Sequence, residues 1–117
     1  MTNFDVKVNG NKISFNVGVL FLGYYQQKNK IDLDELIQKI QDETFLYVPD
    51  FMYESAVYKS HRQGKKFKYS KEKFLDMLDD EGIEAKAMNE FLELFVKSIS
   101  ENIPKEDDVE EPKSKKK

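Results

Sequence analysis

The chain has 117 residues, which predicts a single domain, because two half-length units could not each bury a core unaided. It contains no cysteine, which excludes disulfide bonds and thiolate zinc sites, and its formal charge of −3 argues against a dedicated nucleic-acid coat protein. No apolar run reaches the roughly 20 residues of a membrane-spanning helix. Residues 1–5 have neither the basic head nor the apolar core of a signal peptide. We therefore expect a cytoplasmic protein.

The first 17 residues alternate between apolar and polar side chains, which is the period of a β-strand. Six apolar residues form two such runs: Phe4, Val6, Val8, Ile13, Phe15 and Val17. Asn9-Gly10 lies between the runs and predicts a hairpin, because both turn positions need a positive φ. A two-residue loop pairs Val6 with Ile13, whereas a four-residue loop over 9–12 pairs Val8 with Ile13. Both keep the apolar faces matched, so both registers stay open.

After Val17 the apolar period becomes helical. A first short helix is predicted from three residues, Leu20, Phe21 and Tyr24, and it should fray in the polar run 26–30. Asp32 is the predicted N-cap of a second helix, with Glu35 as its capping-box partner. The apolar stripe of this helix is Leu33, Leu36, Ile37 and Ile40. Because Pro49 disfavours helical geometry at Val48, we expect 44–49 to be a connector.

A third helix is predicted from Asp50 towards Arg62, where Gly64 ends it. Apolar residues surround much of its girth: Phe51, Met52, Tyr53, Ala56, Val57 and Tyr58. A helix that is apolar on most sides is either central in the fold or carries a face that awaits a partner. We therefore expect this helix to contribute to the core and to a binding surface.

Two further helices follow. Ser70 is a good N-cap for the fourth, whose inward residues are Phe74, Leu75 and Leu78 and which ends near Gly82.

The fifth helix has a continuous apolar stripe: Met88, Phe91, Leu92, Phe95, Val96, Ile99 and Ile103. Pro104 stops it, and the charged tail 104–117 should be disordered. The prediction is thus a mainly α (α+β) fold, with a helical domain over 1–103 that begins with a hairpin and contains about five helices.

Catalytic and metal-binding patterns are absent from the sequence. His61 is the only histidine, so no familiar triad or zinc site can be assembled. The segment 64–66, Gly-Lys-Lys, lacks the earlier glycine and the following Ser/Thr of a phosphate loop. The acids Asp76, Asp79, Asp80 and Glu81 have helical spacing rather than the alternate spacing of a calcium loop. We expect no enzyme activity, no cofactor and no metal.

Charge is segregated along the chain. Residues 59–73 hold seven Lys/Arg against one acid, with Phe67 and Tyr69 among them, and residues 76–93 hold seven acids against one Lys. Opposite patches of similar size favour head-to-tail self-association, so we expect a homo-oligomer. The candidate residues are Lys65, Lys66 and Lys68 with Asp76, Asp79 and Asp80. A solvated loop is the second interpretation, and nucleic-acid binding by cations and aromatic rings is the third.

Three stretches of the sequence carry a family resemblance. They are the hairpin 8–15 leading into 20–22, the middle helix 51–58 with the basic loop and the short helix 74–80 after it, and the amphipathic helix that contains 89–95. This layout resembles the tail assembly chaperones of long-tailed bacteriophages. The resemblance implies a non-catalytic protein of the infected bacterial cytoplasm. It also implies two partners, the tape measure protein, which it would keep soluble, and tail tube subunits, which it would help to recruit.

A chaperone of this kind needs an apolar face that accepts many helical sequences, and Met and aromatic side chains adapt well to that task. The candidates for this face are Phe51, Met52, Tyr53, Val57 and Tyr58. The alternative function is a small nucleic-acid-binding or regulatory protein that uses the basic segment 59–73. We expect neither membrane association nor, under the first interpretation, nucleic-acid binding.

Overall fold

The computed structural model describes residues 2–102, and the side chains of 2–100. An antiparallel hairpin precedes five helices: β1 (Asn3–Val8), β2 (Asn11–Asn16), α1 (Val19–Asn29), α2 (Leu33–Asp42), α3 (Thr44–Arg62), α4 (Lys71–Asp79) and α5 (Lys86–Asn102). This confirms the predicted mainly α (α+β) fold. The predicted tail 104–117 and Ile103 lie outside the described residues.

The hairpin adopts the register with the two-residue loop. Val6 pairs with Ile13, and the turn residues Asn9 and Gly10 have φ values of 48° and 84°. All six apolar side chains of the two runs are buried. They pack onto α3 and α5, which contact β2 and β1 respectively. The four-residue loop is therefore excluded, and the apolar face of the hairpin lies on helices of the same chain.

The helix α3 is the centre of the fold. It contacts β2 and the other four helices. Of the six apolar residues predicted around its girth, Phe51, Met52 and Ala56 are buried, and the other three are half-buried. Val48, Glu54 and Ser55, which were not predicted, are buried as well. The ring of Phe51 lies within 5.0–5.8 Å, centroid to centroid, of the rings of Tyr25, Phe91 and Phe95. The apolar girth of α3 therefore serves the core.

The prediction of a connector over 44–49 is wrong, because α3 begins at Thr44 and contains Pro49. Pro49 cannot donate to the carbonyl of Phe45, four residues earlier. Since Phe45 is largely exposed, water can bind that carbonyl instead. Val48 is fully buried in the same turn, and the Thr44 hydroxyl donates to the carbonyl of Ile40, at 2.8 Å. Tertiary burial thus outweighs the local preference against helix.

The inward face of α1 also differs from the prediction. Phe21 and Tyr25 are buried, whereas Leu20 and Tyr24 are exposed. Phe21 and Tyr25 are four residues apart and both reach the ring of Phe51, so these two aromatic rings set the rotation of the helix. The helix does not fray in the polar run but continues to Asn29, and Lys30 ends it in the left-handed conformation at φ 56°.

The predicted caps of α2 and α4 are confirmed. The Asp32 carboxylate accepts from the backbone N–H of Glu35 at 2.8 Å, and the Ser70 hydroxyl accepts from that of Lys73 at 3.1 Å. Leu36, Ile40, Phe74 and Leu78 are buried as predicted, while Leu33, Ile37 and Leu75 are half-buried. Met77 is buried as well, although the sequence analysis left it out.

The stripe of α5 is narrower than predicted. Met88, Phe91 and Phe95 are buried, but Val96 is 60% exposed. The helix packs through Phe91 against both strands, with its ring centroid 5.5 Å from that of Phe4 and 5.0 Å from that of Phe15. A helix held along one line in this way turns Val96, five residues after Phe91, towards solvent.

Replacing Phe95 by Ala should lower the free energy of unfolding by ~3–5 kcal/mol, because it removes a buried ring at the centre of the core. Val96→Ala on the same helix is the matched control and should change it by no more than ~0.5 kcal/mol. Urea titration followed by circular dichroism measures both. A loss below about 1 kcal/mol for Phe95→Ala would contradict this packing.

Candidate partner-binding groove

The residues that the sequence analysis proposed as a client face do not form one surface. Phe51 and Met52 have no exposed side-chain area, so they belong to the core and are not available to a client in this conformation. Tyr53, Val57 and Tyr58 are half-buried. The apolar residues of a central helix pack against the elements around it. The five predicted residues therefore make a poor docking surface.

The structure instead has an open groove between the first turns of α3, the helix α4 and the loop that leads into α5. Its volume is about 580 Å³. Its large apolar lining residues are Phe45, Leu46, Pro49, Leu75, Leu78, Ile83 and Met88. An open apolar groove between helices is the kind of site that accepts the apolar face of a helix.

Three of these lining residues project into solvent. Phe45 is 65% exposed, Leu46 is 67% exposed and Ile83 is 88% exposed. The floor beneath them is closed by Leu78 and Met88, which are buried. Single exposed apolar residues are ordinary on protein surfaces, but three large ones around one groove indicate an interaction site.

The loop that carries Ile83 is held from two sides. One carboxylate oxygen of Glu81 accepts from the backbone N–H of Asn9 in the hairpin turn at 2.7 Å, and the other accepts from the N–H of Ala87 at 2.8 Å. Gly82 and Ala85 on either side of Ile83 have φ values of 82° and 48°. The exposed position of Ile83 is therefore set by specific hydrogen bonds and left-handed backbone rather than by a loose loop.

The opposite wall is tied together by Asp50. Its carboxylate accepts from the Lys71 ammonium at 2.6 Å and from the Tyr25 hydroxyl at 2.7 Å, which joins α3 to α4 and α1. Burial and this hydrogen bond to Asp50 raise the pKa of the Tyr25 phenol, since both favour the neutral hydroxyl.

A second ion pair lies one turn further along α3. The hydrogen bond from Lys28 to Glu54, at 2.7 Å, raises the pKa of the Lys28 ammonium.

The predicted self-association residues all lie on the surface. Lys65, Lys66 and Lys68 are exposed in the loop between α3 and α4. Asp76, Asp79 and Asp80 are exposed along the last turns of α4 and its C-cap. The structure thus places two oppositely charged patches on adjacent segments of one chain, and their role in self-association stays a prediction.

The aromatic rings of the basic segment are already engaged. Phe67 packs at 5.9 Å from Tyr53 and 6.0 Å from Phe74, ring centroid to ring centroid. The ammonium of Lys68 lies 5.2 Å from the ring centre of Tyr69. Because these rings are half-buried, they do not offer the free faces on which unpaired bases stack.

Metal and membrane features can be stated for residues 2–102. No three or more His, Asp or Glu side chains in this part of the chain are grouped as a metal site would require. None of the helices described is both long and apolar enough to cross a bilayer. The single histidine, His61, is exposed near the end of α3.

Comparison with known proteins gives no relative. No family model matches the sequence, and neither curated proteins nor solved structures show a significant match.

Replacing Tyr25 by Phe should flatten the loss of stability at alkaline pH. A phenol whose pKa is raised by folding stabilises the native state below its unfolded pKa of about 10, and this contribution is lost as the pH rises above that value. Above about pH 10, the free energy of unfolding of the wild type should therefore fall by up to ~1.4 kcal/mol per pH unit more than that of Tyr25→Phe. Urea titrations from about pH 8 to 11 measure this, and parallel curves would contradict a buried, neutral Tyr25.

Proposed function

We propose that this protein is a non-catalytic bacteriophage tail assembly chaperone, which binds helical segments of a tape measure protein and helps to recruit tail tube subunits. The observation that carries the proposal is the groove with Phe45, Leu46 and Ile83 exposed along it. An amphipathic helix would enter this groove with apolar side chains spaced three or four residues apart. The client face is thus reassigned from the core of α3 to its first turn and the loop before α5.

The size of the groove supports reversible binding. Burying three large apolar side chains contributes about 1.5–3 kcal/mol each, or about 5–9 kcal/mol together. Association also costs about 4–15 kcal/mol in lost translational and rotational freedom, which offsets most or all of this favourable free energy. One groove therefore binds weakly, and a stable complex needs several copies that are linked as an oligomer, so that their binding events along one client strengthen each other. Weak contacts also suit a chaperone that must release its client.

A long helical tape measure chain fits the chemistry of this surface. Its apolar stripes have no partner until the tail tube surrounds it, so alone it is prone to aggregate. A protein that covers those stripes shifts the client towards a soluble complex by mass action, without nucleotide or chemistry. The resemblance over the hairpin, the middle helix and the amphipathic helix supports the same assignment.

Binding of nucleic acid through 59–73 is less well supported. The exposed cations Lys65, Lys66 and Lys68 would contact phosphates. Phe67 and Tyr69, however, pack on each other at 5.7 Å and are half-buried. The segment 59–73 would therefore attract nucleic acid electrostatically but would not stack on its bases. Nucleic-acid binding is one outcome of the test below.

Co-expression with the tape measure protein encoded beside it should move that client from the pellet to the supernatant. Leu46→Asp should abolish the rescue, because it puts a charge into the groove. Leu20→Asp is the matched control, since Leu20 is also 67% exposed, lies in the first turn of α1 and does not line the groove. Both substitutions place an acid where the helix dipole favours one, so neither should unfold the chain.

The measurement is the fraction of client in the supernatant, with circular dichroism of each variant as the check on folding. Ile83→Asp is a second groove variant on a different element and should act like Leu46→Asp. A client that stays in the pellet beside abundant, folded wild type contradicts the chaperone proposal. Binding of single-stranded nucleic acid tighter than about micromolar at near-physiological salt would favour the alternative.

A further inference from the structure

The hairpin has two edges, and α3 occupies one end of the β2 edge. On β2, the buried hydroxyl of Ser55 donates to the carbonyl of Asn16 at 2.8 Å and accepts from its N–H at 3.1 Å. The edge of β2 is thus held by α3 at this point. On β1, no backbone hydrogen bond joins Asp5 or Lys7 to another element within residues 2–102. Both side chains are exposed.

The register defines which groups point outwards from β1. A two-residue loop makes Val8 and Asn11, which flank it, a hydrogen-bonded pair. Hydrogen-bonded and non-hydrogen-bonded pairs then alternate along an antiparallel ladder, so Val6 and Phe4 also bond to β2. The residues between them, Asp5 and Lys7, direct their backbone N–H and C=O groups away from β2. These groups form a free edge of the kind that pairs with another strand.

Among residues 2–102, the Lys7 ammonium forms no ion pair. Lys7 lies directly opposite Lys12 of β2, which is an unfavourable pair of like charges. Asp5, in contrast, accepts from the Ser14 hydroxyl at 2.6 Å and forms an ion pair with Lys12 at 3.6 Å. The intrachain neighbour of Lys7 therefore does not explain a lysine at this position, whereas an acidic neighbour on the open side of β1 would.

We propose that β1 pairs antiparallel with β1 of a second copy about a twofold axis at Val6, which makes a four-stranded sheet. In this register Asp5 of each chain lies opposite Lys7 of the other, and the outward backbone groups of both residues meet. Shifting the strands by two residues in either direction places Asp5 opposite Asp5 or Lys7 opposite Lys7. Like charges directly opposite each other are unfavourable, so the charges select one register.

Among the described residues, no helix hydrogen-bonds through its backbone to the outward groups of Asp5 and Lys7. α5 packs on the apolar face of the hairpin, through contacts of Phe91 with Phe4 and Phe15, and α3 contacts β2. The groove is lined by residues of α3, α4 and the segment 82–88, none of which lies on β1. The twofold contact is therefore independent of client binding, and it differs from the head-to-tail contact between the charged patches.

The test is sedimentation equilibrium of the full chain from about 1 µM to 1 mM, where wild type should show a concentration-dependent dimer. Lys7→Asp should weaken dimerisation at least about tenfold, because Asp5 then faces an acid of the other chain. The same substitution replaces the like-charged pair with Lys12 by an attractive one, and circular dichroism of the variant checks that it is folded. Asp5→Lys should weaken the dimer similarly, whereas Lys30→Asp, the control with the same charge change as Lys7→Asp, should not.

Mixing the two single variants gives the decisive result. Lys7→Asp and Asp5→Lys each repel their own kind in the proposed register, but a one-to-one mixture restores both opposite-charge pairs and should dimerise as well as wild type. A wild type that stays monomeric up to about 1 mM overturns the proposal. So does a mixture no more associated than its components, or a dimer that is lost on reversing Lys65, Lys66 and Lys68 but not on Lys7→Asp.

Discussion

The burial of α3 is the constraint on which the rest of the structure depends. A two-stranded hairpin is marginal in water, and α1, α2 and α4, with 11, 10 and 9 residues, are too short to be stable alone. The helix α3 contacts β2 and all four other helices, and Phe51 at its middle contacts rings from α1 and α5. Each surrounding element thus covers one side of α3, and in return buries its own apolar face there.

Polar contacts of α3 then fix the neighbours in place. Asp50 lies one turn before Glu54 and Ser55 on α3. Asp50 bonds to α4 and α1, Glu54 bonds to α1, and Ser55 bonds to β2. Apolar contact supplies most of the stability but constrains orientation weakly, whereas charged hydrogen bonds depend on distance and direction. The ion pair of Asp50 with Lys71 joins α3 to α4, the two helices that line the groove.

Local patterns in the sequence were sufficient for the hairpin, the caps and the amphipathic helix α5, since each is encoded by neighbouring residues such as Asn9-Gly10, Asp32 and Ser70. The start of α3 was not predictable in this way, because Pro49 opposes helix locally and only the burial of Val48 against other elements overrides it. The groove was missed for the same reason. Phe45 and Leu46 become neighbours of Ile83 only when α3 begins before Pro49, and no periodicity signals that contact.

The conformation of the loop before α5 suggests that the shape of the groove is not a chance result of packing. Ala85 lines the groove with a left-handed backbone, φ 48°, which costs a residue with a side chain roughly 1–2 kcal/mol. A glycine there would relieve the strain, yet the Ala85 methyl group is buried and helps to close the floor. The same loop exposes Ile83 and is held to the hairpin turn through Glu81. Strain that surrounding contacts maintain, beside an apolar side chain kept in water, is typical of a site shaped for a partner.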